Sequence, residues 1–155
     1  MQMTTLREAR ESDVPQIMRI ERAAFTPPWT EAQILREIYG GDTCFCVAEQ
    51  NGILQGFAIL RFIADEAELF QLAVEKTAQR TGIGTKLLQE TLNHAPARTV
   101  FLEVRASNAP AISLYQKQGF TERGRRPHYY TTPHEDAIIM HRTPWHSTQY
   151  FPKPQ

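Results

Sequence analysis

The hexapeptide Gln79-Arg80-Thr81-Gly82-Ile83-Gly84 separates a run that alternates like a strand, residues 66–74, from a run with helical spacing. The helical run carries its apolar side chains on one face, at Ile83, Leu87, Leu88 and Leu92. The two glycines allow backbone N–H groups to converge on an anion, and the helix adds the positive end of its dipole. This order predicts a pyrophosphate site, although an ordinary glycine turn before a helix would also fit the loop taken alone. It is not a Walker A loop, since no Lys-Ser/Thr pair follows the second glycine.

The chain before this loop predicts a short strand and two helices. Residues 6–10 form the strand, and Ser12 is placed to cap an amphipathic first helix. A pair of prolines then interrupts the chain. Thr30 is placed to cap a second helix that runs to about Tyr39, where two glycines stop it. We therefore expect both helices to precede the main strands of the sheet.

A β-hairpin is predicted between the second helix and the loop. Residues 44–50 and 53–63 have strand character and are separated by Asn51-Gly52. A type I′ turn favours this dipeptide because both of its central positions need a positive φ. Together with residues 66–74, the hairpin predicts three consecutive strands.

The chain after the loop predicts three strands and one helix. Residues 99–105 alternate as a strand, Asn108 is placed to cap a helix, and Gly119 ends that helix. Two closing strands, at 120–123 and 137–142, are predicted with a loop rich in Arg, Pro and Tyr between them.

The complete order of elements is β-α-α-β-β-β-α-β-α-β-β. This order predicts a mixed α/β (α+β) fold, in which helices flank a twisted sheet of parallel and antiparallel strands. A length of 155 residues suits one domain. We expect a single domain over residues 1–143 and a loose tail over residues 144–155.

Composition argues against several classes of protein. The 17 basic and 17 acidic residues create no net field, so neither direct nucleic-acid binding nor a membrane partner is expected. Apolar runs fall short of the ~18 residues of a membrane span, and the charged N-terminal stretch does not resemble a signal peptide, so we expect a cytoplasmic protein. Cys44 and Cys46 are interpreted as reduced strand residues. The five scattered histidines lack metal-site spacing, and no metal is expected.

The loop and its flanks resemble the GNAT superfamily of acetyltransferases. Residues 79–84 resemble the family's Q/R-x-x-G-x-G/A signature, which holds the pyrophosphate of CoA. Leu72-Ala73-Val74 resembles the strand that pairs with the pantetheine arm, and the segment from Asn108 to Phe120 resembles the second acetyl-CoA region. The resemblance implies a GNAT-like fold with acetyl-CoA as cosubstrate. It implies these cofactor-binding residues: Leu72, Ala73, Val74, Gln79, Arg80, Thr81, Gly82, Ile83, Gly84, Thr85 and Asn108.

Within that family the chain resembles the enzymes that acetylate the N-terminal alanine of a ribosomal protein. The residues that carry this likeness are 28–31, 65–67, 102–108, 111–115, 119–120, 129–130 and 135–140. The resemblance implies transfer of acetyl from acetyl-CoA to the N-terminal α-amine of a protein, namely the N-terminal alanine of the eighteenth small-subunit ribosomal protein. The sequence departs from its relatives at Ala78 and in the extension after residue 143.

Glu103 is the candidate general base. It falls in the middle of a predicted strand, where carboxylates are uncommon because an unpaired buried charge is costly. An N-terminal ammonium has a pKa of about 7.7 to 8.0, so a carboxylate could remove its proton directly or through water. The resemblance assigns this role to Glu103. A strand glutamate paired with Arg105, or facing solvent, is the alternative.

Tyr115 is the candidate general acid, and this assignment rests on the resemblance. In the family, a tyrosine at this position reaches the thioester sulfur and protonates the departing thiolate. An amphipathic aromatic residue on a helix is the alternative. The implied mechanism is direct attack of the amine on the acetyl carbonyl, without an acetyl-enzyme.

Three aromatic residues are candidates for binding the acceptor: Trp29, Tyr129 and Tyr130. Trp29 could equally fill the core after the two prolines. Arg123, Arg125 and Arg126 could steer an acidic partner or belong to a solvated hairpin. Two other functions compete with N-terminal acetylation. One is acetylation of lysines or a small amine by a related enzyme, and the other is a non-catalytic acetyl-CoA sensor.

Overall fold

The structure is a computed structural model that describes residues 3–144. Its strands and helices, in chain order, are β1 Thr5–Glu8, α1 Val14–Ala24, α2 Glu31–Tyr39, β2 Thr43–Gln50, β3 Ile53–Ile63, β4 Glu66–Val74, α3 Ile83–Leu92, β5 Thr99–Arg105, α4 Ala109–Lys117, β6 Thr121–Thr131 and β7 His134–Arg142. Short 3₁₀ turns lie at Glu11–Asp13 and Lys76–Ala78. The predicted order of elements and the mixed α/β class are confirmed. The predicted tail lies outside the described residues, apart from its first residue, Pro144.

The seven strands are hydrogen-bonded in the order β1-β2-β3-β4-β5-β7-β6. β1 with β2, β2 with β3, β5 with β7, and β6 with β7 are antiparallel pairs, whereas β4 and β5 run parallel. A parallel pair needs a crossover, and α3 supplies it. Among residues 3–144, no helix is long and apolar enough to cross a membrane.

The described chain divides into two compact units, residues 3–61 with 70–94 and residues 62–69 with 95–144. The core of the first unit is formed by side chains of α1, α2, β2 and β3. Its fully buried members include Ile17, Ile20, Ile34, Val47, Leu54, Phe57 and Ile59. The apolar faces of both predicted helices therefore pack on the sheet, as their periodicity requires.

In the second unit, β5 buries every second side chain. Val100, Leu102 and Val104 are buried, and β7 pairs alongside them with Leu102 opposite Met140. Glu103 points to the other face of β5, because successive strand residues alternate between faces. This alternation keeps the carboxylate out of the apolar core.

The local turn and cap predictions are confirmed at three sites. Asn51 and Gly52 have φ values of 53° and 79°, as a type I′ turn requires. The Thr30 hydroxyl accepts a hydrogen bond from the Gln33 backbone N–H, and Gly119, with φ of 93°, follows the end of α4. Cys44 and Cys46 on β2 are free thiols.

The predicted cap at Ser12 is wrong. Ser12 lies inside a 3₁₀ turn, and Asp13 occupies the position before α1. The Asp13 carboxylate accepts a hydrogen bond from the Arg10 backbone N–H at 2.8 Å and bonds to the Arg7 guanidinium at 2.8 Å. The Asp13 side chain makes no cap hydrogen bond to α1 and instead ties the turn before the helix to Arg7.

The predicted loop before the last strand is also wrong, because β6 continues through Thr131 and the connection to β7 is short. β6 lies at the end of the strand order, where a proline such as Pro127 can be tolerated. Its register with β7 shifts between Arg126 and Tyr130, and His128 has a φ of 55°. The irregularity accommodates residues that have turn-like composition. Tyr129 and Tyr130 consequently belong to a strand.

Candidate active site

The glycine loop of the first unit begins α3 with a strongly bent backbone. Gly82 is the N-cap residue and has a φ of 91°, and Arg80 has a φ of 67°. A positive φ is uncommon for a residue with a side chain and typically marks a turn or a functional site. The bend between them directs the chain into the first turn of α3.

The first turn of α3 has no side-chain cap. Helices leave their first backbone N–H groups without partners in the helix, and a glycine N-cap supplies no side-chain oxygen for them. Ile83 and Leu87 are buried with Ala78 in a core cluster, whereas residues 79–82 are exposed. The helix is therefore anchored while its positive end faces outward, an arrangement that suits an anion such as pyrophosphate.

Side chains within the loop bind the loop itself. Gln79 donates from Nε2 to the carbonyl oxygen of Val74 at 3.2 Å, and the Thr81 hydroxyl donates to the Ala78 carbonyl oxygen at 2.5 Å. The first bond connects the loop to the end of β4, and the second connects it to the 3₁₀ turn that follows. The predicted cofactor residues 72–74 and 79–85 thus form one continuous segment of the first unit.

Gly56 on β3 is a residue that the sequence reasoning missed. A Cβ at Gly56 would lie 2.6 Å from the Ala73 carbonyl oxygen and 3.0 Å from Cδ1 of Leu87. Only glycine permits this close approach of β3 to the predicted pantetheine strand. An isolated glycine within a strand pattern was the available signal.

Trp29 is held in the first unit through its backbone and its ring. Its backbone N–H donates to Oε2 of Glu21 at 2.7 Å. The ring meets Phe70 edge-on, with centroids 6.0 Å apart, and packs partly buried against the core. The structure therefore gives Trp29 the core contacts of the alternative interpretation and leaves part of the ring exposed.

Glu103 in the second unit is partnered by two side chains of β6. Nε of Arg126 lies 2.7 Å from Oε2 of Glu103, whose side chain is 20% exposed. The Tyr129 hydroxyl donates a hydrogen bond to the same carboxylate. Sequence reasoning had placed Arg126 in a basic cluster without identifying its partner.

Arg105, the alternative partner for Glu103, contacts the segment that joins β6 to β7. Arg105 bonds to Glu135 at 3.3 Å, and its guanidinium lies 4.2 Å from the Tyr130 ring centroid. It also donates to the carbonyl oxygens of residues 132 and 133. Arg105 therefore braces the short β6–β7 connection.

The two adjacent tyrosines meet edge to face, with ring centroids 5.1 Å apart. Burial, followed by the charge of Glu103, raises the pKa of Tyr130 to about 12. The same two causes raise the pKa of Tyr129, whose side chain is nevertheless half exposed. Both phenols are protonated at neutral pH and can donate hydrogen bonds near the Glu103 carboxylate.

Tyr115 on α4 is buried and packs edge-on against Phe120 at 5.8 Å. Burial, with a smaller contribution from Tyr130, raises its pKa well above the usual range. The phenol is therefore protonated at neutral pH, the state that a general acid requires. The same burial agrees with the alternative role in packing.

Asn108 acts as the N-cap of α4. Its side chain accepts a hydrogen bond from the Ala111 backbone N–H at 3.3 Å. The side-chain oxygen thus serves the helix cap that the sequence predicted. A contact with the cofactor would use the amide nitrogen or the backbone.

Among residues 3–144, no group of three or more His, Cys, Asp and Glu side chains is arranged to hold a metal ion.

Comparison with known proteins identifies the family. Residues 14–120 match the acetyltransferase (GNAT) family. The chain is 40% identical over 143 residues to the ribosomal protein bS18-alanine N-acetyltransferase of Escherichia coli K12, covering 89% of this chain and 96% of the relative. The crystal structure of the E. coli ribosomal-protein-S18-alanine N-acetyltransferase superposes with a TM-score of 0.83 at 38% identity, covering 92% of this chain and 94% of that one. Ard1 from Thermoplasma volcanium superposes with a TM-score of 0.81 at 31% identity, over 90% of this chain and 96% of that one. The chain belongs to the acetyltransferase (GNAT) family.

Proposed function

We propose that this protein transfers the acetyl group of acetyl-CoA to the N-terminal α-amine of a protein, the N-terminal alanine of ribosomal protein bS18. The observation that carries the proposal is the half-buried Glu103 carboxylate, which faces a cation and a phenol and lies outside the apolar core. The choice of acceptor is supported by 40% identity to an enzyme of that name over 96% of its length. We expect the reaction to take place in the cytoplasm, where ribosomal proteins are made.

In this proposal the first unit binds the donor. The uncapped first turn of α3, with residues 82–85, would hold the pyrophosphate of CoA through backbone N–H groups. Residues 72–74 would hydrogen-bond to the pantetheine arm through the strand backbone. Gln79 supports this arrangement because its side chain ties the loop to Val74.

Glu103 would act as the base. It takes a proton from the acceptor ammonium, directly or through water, and the freed amine nitrogen forms a bond to the acetyl carbon. Tyr115 would act as the acid, donating its phenolic proton to the CoA sulfur as the carbon–sulfur bond breaks. The second proton of the attacking nitrogen is released as the amide forms, and it restores the phenol through water. The raised pKa of Tyr115 supports the proposal, since it keeps the proton available at neutral pH.

The acceptor chain would contact aromatic side chains. Tyr129 is half exposed beside Glu103, and Tyr130 packs against it. Trp29 in the first unit presents the exposed part of its ring. Aromatic rings bind peptide groups well because they combine a large apolar surface with polar edges.

A pair of peptides tests the function. Both carry the N-terminal sequence of bS18 with an internal lysine, and one has its N-terminus blocked by acetylation. We expect the protein to acetylate only the free N-terminus with acetyl-CoA, as read by tandem mass spectrometry. Lysine acetylation in the blocked peptide, with none at the free terminus, would overturn the proposal in favour of a lysine acetyltransferase. Absence of any acetyl transfer together with tight CoA binding would instead indicate an acetyl-CoA sensor.

A further inference from the structure

Arg126 forms an ion pair with the Glu103 carboxylate, which is the base of the proposed mechanism. Its Nε lies 2.7 Å from Oε2 of Glu103, and its guanidinium lies 5.4 Å from the ring centroid of Tyr129. The acceptor ammonium is also a cation, and it must approach the same carboxylate in order to lose its proton. The two cations therefore compete for one site.

Arg126 is held weakly enough to be displaced. Its side chain is 57% exposed and lies on the terminal strand β6, where the register shifts. Exposed ion pairs contribute little net stability because water solvates the separated charges well. Arg105, which is 23% exposed, contrasts with it: Arg105 bonds to Glu135 and to two backbone carbonyls.

We infer that Arg126 is a built-in counter-ion that competes with the acceptor ammonium for Glu103, and that it thereby weakens binding of the free amine while leaving binding of the acetylated product unchanged. This inference rests on the proposed function. The acetylated product is a neutral amide, so it does not compete with Arg126.

A matched pair of variants tests the competition. Arg126→Gln removes the counter-ion, whereas Arg125→Gln removes the same charge from the same strand but breaks an exposed pair with Glu122 instead. We expect Arg126→Gln to lower the KM for a peptide with a free N-terminal alanine about two- to fivefold, in keeping with the strength of an exposed ion pair. The value of kcat should not fall, and Arg125→Gln should change neither constant.

The acetylated peptide supplies the second comparison. Its affinity for the CoA-bound protein, measured by calorimetry, should be the same in the wild type and in Arg126→Gln. A KM that rises in Arg126→Gln, or that changes equally in the two arginine variants, would overturn the inference. Equal tightening of the free and acetylated peptides would overturn it as well.

A readout that needs no turnover separates this inference from the proposed function. In ¹⁵N-labelled protein, the Arg126 Nε–Hε signal is identified by its loss in Arg126→Gln. We expect the Glu103→Gln substitution to change the chemical shift of this signal. Addition of the free-amine peptide to the wild type should change the shift in the same direction. If the wild type acetylates the peptide while the signal does not respond, the inference fails alone. If the wild type acetylates no free N-terminus, the proposed function fails. The inference then fails as well, because it requires an acceptor ammonium.

Discussion

The backbone N–H of Trp29 donates to Oε2 of Glu21 at 2.7 Å, although Glu21 is completely buried. The same oxygen accepts a hydrogen bond from Nε2 of Gln71 at 3.0 Å. One carboxyl group thus ties the segment after α1 to β4, one residue before the predicted pantetheine strand. Among the described residues, no hydrogen-bond partner reaches Oε1 of Glu21 or Oε1 of Gln71.

Glu21→Gln should stabilise the protein at neutral pH. Burial raises the pKa of Glu21 above its usual value of 4.5, so the folded state disfavours the charged form. Glu21 therefore contributes stability at low pH that is lost as the pH rises through its folded-state pKa. We expect Glu21→Gln to raise the free energy of unfolding at pH 7 by about 1 kcal/mol, since the amide carries no charge. Urea unfolding measures this change.

The pH dependence provides the check on Glu21. The difference from the wild type should shrink as the pH falls toward 4.5, where the unfolded-state glutamate also takes up a proton. A destabilisation of the same size at pH 7 and pH 4.5 would contradict the prediction. Glu21→Ala is the contrasting variant, and it should cost about 2 kcal/mol because the Trp29 N–H loses its acceptor.

Glu103→Gln should lower kcat/KM for the free-amine peptide about 100-fold near neutral pH, because the amide cannot accept the ammonium proton. CoA affinity, measured by calorimetry, should stay the same. Glu122→Gln on β6 is the control, since the ion pair of Glu122 within residues 3–144 is with the exposed Arg125. Wild-type turnover in Glu103→Gln would remove Glu103 from the role of base.

Tyr115→Phe should lower kcat about tenfold or more while its unfolding free energy changes by less than about 1 kcal/mol, since the ring contact with Phe120 is kept. Burial raises the pKa of Tyr115 far above the usual value of 10, so its ionisation should not reduce wild-type kcat up to pH 10. The pH profile of kcat measures this. An alkaline loss of activity below pH 10 that disappears in Tyr115→Phe would show an acid of ordinary strength.

Gly56→Ala should disturb the strand that is proposed to bind pantetheine. The added Cβ would approach the Ala73 carbonyl oxygen to 2.6 Å, a contact that requires β3 or β4 to shift. We expect a loss of about 2 kcal/mol in unfolding free energy and weaker CoA binding. Gly124→Ala is the matched control because nothing lies within 4 Å of its Cβ position. Equal effects of the two substitutions would show that the contact at Ala73 is unimportant.

Features that depend on neighbouring residues were predictable from the sequence. The turn at Asn51-Gly52, the cap at Thr30 and the glycine loop before α3 each follow from the backbone freedom or hydrogen bonding of a few consecutive residues. The family resemblance selected Glu103 and Tyr115, which periodicity alone would have left as a strand carboxylate and a helix aromatic. The full length of β6 could not be predicted, because Pro127 and its neighbours have the composition of a loop and form a strand only beside β7.

The sequence by itself determined the order of elements, the glycine turn before α3 and the family. Only the tertiary structure decided which distant residues meet: Arg126 with Glu103, Gly56 with the Ala73 carbonyl, and Glu21 with the Trp29 backbone N–H. The physical reason is the separation along the chain between the residues that interact. Turns and caps are set by torsion angles and donors within a few residues, whereas these pairs depend on strand register and burial among segments far apart in the chain.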